Sequence, residues 1–242
     1  MRATFDATGE VVVVTGGANG IGAALARAVG DSGGSAVVLD VAHSRDLEGA
    51  PGVRQLPVDV ADREAVRAAV ADVVTEHGYV SGLVAGAAIQ PRTTVSEMSP
   101  AEWQRVLGVN LDGVVWACQA VLPSMVARRG GSIVMFTSGL AHMGRAGAAA
   151  YAASKGALIP FAKSLAAEVA EHRVRVNVLA PGVIDTPQFQ AANPTGGERE
   201  HWTRTTGIGT PEDVVGPLLF LLSEAATMTG STLSRDRSYA KE

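Results

Sequence analysis

Val11 to Val14 is a β-branched run that feeds directly into Thr15-Gly16-Gly17-Ala18-Asn19-Gly20-Ile21-Gly22, and from there into the helix-favouring stretch Ala23 to Val29. Few folds accept that order. An unbroken apolar run of this kind suits a strand buried on both faces, as in a parallel sheet covered by helices. Glycines between such a strand and a helix let the backbone turn tightly and approach a pyrophosphate, which then rests on the positive end of the helix dipole. The pattern predicts a phosphate-binding turn within Thr15 to Gly22.

The alternation continues along the chain. Strands are expected at 35–39, 53–58, 81–89, 132–137, 174–179 and 231–233. Between them lie helical stretches such as Arg63 to His77, with Asp62 as N-cap, and the segment opened by Ser99-Pro100 with Glu102 third. Strand and helix alternating from end to end predict a single-domain, doubly wound Rossmann-type sheet over 1–242, with about seven parallel strands and helices on both faces. Residues 183 to 210 show no hydrophobic periodicity and are expected to form a long loop, with a mobile substrate-covering part at about 186–209.

Asp40 ends the second strand about 20 residues past the first glycines, the position that suits a ribose-binding carboxylate. Its charge repels a 2′-phosphate, so NAD is expected over NADP, although His43 and Arg45 follow closely. Tyr151 and Lys155 are four apart in an alanine-rich stretch and share a face if it is helical. An ammonium beside a phenol favours the phenolate and suits proton exchange with an alcohol or carbonyl oxygen. Asp59, Ser138 and the Pro181-Gly182 turn fall at expected strand ends, where ligands bind in such sheets.

Taken in order and spacing, the glycine turn, Asn110, Ser138, Tyr151-x-x-x-Lys155 and Pro181-Gly182 make the whole chain resemble the short-chain dehydrogenase/reductase family. The resemblance implies an NAD(H)-dependent oxidoreductase. It implies Tyr151 as general acid/base, Ser138 as stabiliser of the substrate oxygen, Lys155 as the group that lowers the tyrosine pKa and binds the nicotinamide ribose, and Asn110 as part of a proton relay. Gly16, Asn19, Gly20, Ile21 and Gly22 would hold the pyrophosphate, Asp59 and Val60 would flank the adenine, Ala87 would leave room for the cofactor, and Val183, Ile184 and Thr186 would fix the nicotinamide amide. Two departures stand out. Ala85-Gly86-Ala87-Ala88 replaces the family's Asn-Asn-Ala-Gly, and Ser234-Arg235-Asp236-Arg237-Ser238 replaces its Val-Asp-Gly-Gly ending.

Gln90, His142, Met143, Gln188, Phe189 and Trp202 are the expected substrate contacts. They form a mostly apolar set suited to a medium-sized hydrophobic or aromatic secondary alcohol or ketone. A 3-oxoacyl-thioester reductase is the enzymatic alternative, with Arg128-Arg129 as its only basic docking feature, and a non-catalytic nucleotide-binding protein is a third reading. Net charge −4 and dispersed basic residues argue against nucleic acid. A single cysteine, Cys118, fits a reducing cytoplasm. The apolar stretch Val114 to Val126 is too short to span a bilayer. No metal is expected. Spare apolar residues on the two long helices, Val115, Val121 and Phe161, suggest a homodimer or homotetramer.

Overall fold

The computed structural model describes residues 4–235. Seven strands form one parallel sheet in the order β3-β2-β1-β4-β5-β6-β7. They are β1 (Val11–Thr15), β2 (Ser35–Asp40), β3 (Val53–Pro57), β4 (Gly82–Ala85), β5 (Gly131–Phe136), β6 (Val174–Ala180) and β7 (Thr232–Ser234). The order reverses between β1 and β4, which opens a crevice at the carboxyl ends of the central strands. The strand–helix alternation legible in the sequence is therefore realised, with the expected fourth strand shortened. Beyond Ala85 the chain leaves the sheet to line that crevice.

The valine run works on both faces because successive side chains point opposite ways. Val12 and Val14 pack with Leu25 and Val29 of α1 (Gly20–Asp31) and with Val214, Leu218 and Leu221 of α9 (Glu212–Leu222). Val11 and Val13 join the other core, built from α2 (Arg63–His77), α4 (Gly113–Arg128) and α6 (Ala149–Val169). Leu158, Leu218 and Leu221 are fully buried, and truncating any one to alanine should cost about 2–5 kcal/mol.

The local signals act as read. Asp62 caps α2 by accepting from the Glu64 and Ala65 N–H groups, and Ser99 caps α3 (Pro100–Leu107) by accepting from Glu102 N. The chain beyond α3 departs from expectation. A single π turn, Gly108–Asp112, carries it into α4, so 100–128 is one continuous 29-residue helix. By length and apolarity alone that helix could cross a membrane, a test that core helices of soluble proteins also pass. Here it lies on the sheet, burying Val114, Ala117, Cys118, Val121 and Met125. Val121 is thus core rather than spare surface, whereas Val115 and Phe161 remain partly exposed. Arg129, in the left-handed conformation, ends the helix two residues before Gly131. Between β5 and α6 a single short turn of helix, α5 (Leu140–Met143), carries His142 and Met143.

The largest correction lies at 183–210. Two helices occur there, α7 (Pro187–Ala192) and α8 (Gly196–Thr205). Thr195 and Glu198 form a reciprocal capping box at the start of α8. That Thr-x-x-Glu signal is present in the sequence, but the glycines between its members and the polar helix behind it mask the pattern. The segment's ends are pinned to each other: Asp185 N donates to Gly209 O and Gly209 N to Val183 O, each at 2.8 Å. Asp236, the carboxylate of the altered ending, lies outside the described residues.

Candidate active site

The crevice at the strand ends encloses about 550 Å³. All the sequence-expected cofactor and substrate residues line it, as do Ser138, Tyr151 and Lys155; Asn110 lies just behind the lining.

At one end is the glycine turn. Gly16 has φ +70°, and a Cβ there would sit 2.5 Å from the backbone of Ala87. Gly20 has φ +54°, and its Cβ would meet Thr186 Cγ2 at 2.9 Å. Side chains at either position would fill the cradle at the start of α1, so this turn fits a pyrophosphate. Asp40 holds the turn's shape as well as facing the crevice: it accepts from Ala18 N at 3.0 Å and from Ala42 N at 2.9 Å. Arg105 donates to Asp59 Oδ2 at 3.0 Å. Burial of Asp59 works the other way, but hydrogen bonds from Ala61 N and Arg105 hold its carboxyl below the ordinary value. The Ala85-Gly86-Ala87-Ala88 departure is tied without asparagines, because Thr15 accepts from the Gly86 and Ala87 N–H groups through its hydroxyl. Gly86 N also donates to Thr15 O at 3.0 Å.

At the other end α6 presents Tyr151 and Lys155 one turn apart, and both are buried. The Tyr151 hydroxyl is hydrogen-bonded to Ser138 and Gln188. Burial raises the phenol's pKa, with those two bonds acting in the opposite direction. Burial also brings Lys155 down to about 8. From spacing alone the ammonium is expected to pull the phenol down. In this structure desolvation dominates both groups and favours their neutral forms.

Asn110 sits in the π turn, fully buried. Its Oδ1 accepts from Ile89 N at 2.8 Å, and its Nδ2 donates to Ile89 O at 2.9 Å and to Ser154 Oγ at 3.1 Å. It braces the strand-β4 exit against α6. A π turn offsets one residue from the helical ladder, which is how this side chain reaches across.

Thr186 caps α7 by accepting from Phe189 N at 3.2 Å. Gln188 Nε2 reaches Gln90 Oε1 at 3.5 Å. Of the expected substrate residues, Met143 is 66% exposed at the mouth, while Phe189 and Trp202 are only partly so. Sequence reasoning singles out neither Arg145 nor Asn193. Asn193 Oδ1 accepts from Arg145 Nη1 at 2.8 Å and from Trp202 Nε1 at 3.0 Å. Arg145 Nη2 donates to Glu198 Oε1 at 2.8 Å, and Arg92 pairs with the same oxygen. Apart from the Asn193–Trp202 bond, these pairings join segments about 50 to 100 residues apart, so no local signal marks them.

Comparisons with known proteins agree with the geometry. The short chain dehydrogenase model matches residues 10–196. A 3-oxoacyl-acyl-carrier-protein reductase of Chlamydia pneumoniae is 35% identical, covering 94% of this chain and 96% of its own. An acetoacetyl-CoA reductase of Synechocystis sp. is 36% identical, covering 93% of each. The crystal structure of a gluconate 5-dehydrogenase from Burkholderia cenocepacia J2315, in complex with NADP and tartrate, superposes with a TM-score of 0.88 at 31% identity, covering 95% of this chain and 94% of that one. With a nucleotide cradle at one end of its crevice, a buried tyrosine–lysine pair at the other, and a family match across most of its length, the chain belongs to the short-chain dehydrogenases.

Proposed function

We propose that the protein is a cytoplasmic NAD(H)-dependent oxidoreductase interconverting a secondary alcohol and a ketone of medium size. The observation that carries this reading is the Tyr151 hydroxyl, hydrogen-bonded to Ser138 and Gln188 inside the crevice that also holds Lys155 and the glycine turn. A substrate oxygen placed there meets a proton donor/acceptor and a second hydroxyl that stabilises developing charge. A dinucleotide, when bound, supplies the hydride chemistry. Lys155 holds positive charge beside the phenol and is placed to meet a ribose; Asn110 keeps the neighbouring backbone in position. Asp40, at the ribose end, favours NAD by repelling a 2′-phosphate.

The names of the two sequence relatives favour a second reading, reduction of a 3-oxoacyl thioester. Against it, the two arginines considered as a carrier-docking feature are engaged elsewhere. Arg128 lies 4.1 Å over the Tyr79 ring, and Arg129 donates to Glu171 O at 2.9 Å. The test is spectrophotometric, following the nicotinamide band with purified protein. NAD is supplied with a panel of secondary alcohols, and NADH with acetoacetyl-CoA. Turnover of alcohols supports the first reading, turnover of the thioester alone supports the second, and no turnover in either direction sinks both.

A further inference from the structure

We propose that the substrate carries a carboxylate remote from its reacting carbon, and that Arg145 is the residue that binds it. This rests on the alcohol/ketone reading above. Arg145 lines the crevice on the side of Tyr151, in the segment between Ser138 and Tyr151. Two of its five N–H donors are used among the described residues, one on Asn193 and one on Glu198. Those bonds, with the Trp202 ring 5.7 Å from the guanidinium, fix its direction rather than exhaust it.

The charge balance points the same way. Glu198 is shared: one oxygen takes both Arg92 and Arg145, and the other takes Thr195. Two guanidiniums against one carboxylate leave an excess positive charge. The acidic residues that line the crevice among the described residues are Asp40 and Asp59, both at the nucleotide end. Among those residues, the substrate half of the lining holds no carboxylate; Glu198, which pairs with Arg145, lies outside the lining. A partly buried cation with spare donors, whose one paired carboxylate is shared with a second guanidinium, is a site for an anion of planar, forked geometry, which a carboxylate has. The apolar walls supplied by Met143, Phe189 and Trp202 suit the body between that carboxylate and the ketone.

The probes are 4-acetylbenzoate and its methyl ester, which differ in charge but share a ketone and an aromatic ring. Binding to the protein–NADH complex is measured by calorimetry, and hydride transfer separately by absorbance. Wild type should bind the carboxylate at least about tenfold more tightly than the ester, the scale of a charged hydrogen bond. Arg145→Met should bring the two within about twofold, and Arg145→Lys, which keeps the charge but not the fork, should fall between. Equal affinities in wild type, failure to bind the carboxylate, or a preference that survives Arg145→Met overturns the proposal. Should Arg145→Met lose its cooperative melt, Arg145→Lys decides: an undiminished preference refutes the anchor. Tight carboxylate binding without hydride transfer supports the anchor and counts against the redox reading. Transfer at equal efficiency to both probes does the reverse.

Discussion

Tyr151 and Lys155 stand one helical turn apart in the same crevice, and burial moves their pKa values in opposite directions: the phenol above its ordinary value, the ammonium down to about 8. The pair is therefore held in a setting that resists charge until something neutralises the cost. An anionic dinucleotide and a substrate oxygen are the groups that would do so, which makes desolvation within the crevice part of how the site is tuned.

Tyr151→Phe removes one hydroxyl and its bonds to Ser138 and Gln188. Turnover should fall by about 10²–10⁴-fold while NADH binding persists. Steady-state kinetics beside a cofactor titration check both halves, and near wild-type turnover would remove Tyr151 from the mechanism.

Asp40→Ala should narrow the proposed preference for NAD over NADP by deleting a negative charge at the end of the crevice where the glycine turn lies. It should also weaken NAD binding, because the carboxylate accepts from Ala18 N in the glycine turn. The ratio of kcat/KM for the two cofactors is the readout. A wild type that prefers NADP would overturn the assignment.

Lys155 predicts a pH dependence of stability. Its folded pKa, about 8, lies below the ordinary lysine value of 10.5, so between those values the unfolded chain binds more protons. This group's contribution is present above pH 10.5 and is lost as pH falls toward 8. Lys155→Met should melt higher than wild type at about pH 7, and that advantage should shrink as pH rises from 8 to 10.5. Parallel melting curves across this range would contradict the burial argument.

Glu198→Gln should loosen the segment from α7 to α8. Glu198 joins Arg92, Arg145 and the Thr195 cap, and its pKa is held at about 2, chiefly by the hydrogen bond from Arg92. Limited proteolysis at 190–205 should speed up in the variant. In wild type, cleavage should slow on adding NADH with a substrate analogue if the segment closes over the site. Equal cleavage in all states would make α7 and α8 plain architecture.

Val115 and Phe161 remain partly exposed on α4 and α6 and are the candidate seam of a dimer or tetramer. Light scattering should give a mass above 24.8 kDa at micromolar concentration. Phe161→Glu should reduce it.

The sequence alone determined the doubly wound sheet, because an apolar run from Val11 to Val14 that can be buried on both faces, with a glycine turn before a helix, leaves few other packings. It also brought Tyr151, Lys155 and Ser138 forward as candidate site residues, each marked by local spacing or by a strand end, and all three line one crevice. Tertiary structure decided the rest. The pKa directions of Tyr151 and Lys155 follow from how deeply the fold buries them, which spacing does not encode. Asn110 became a brace through a π turn, a one-residue offset with no sequence signature. Arg145 meets Asn193 and Glu198 across long chain separations, and only the closed chain brings their charges together.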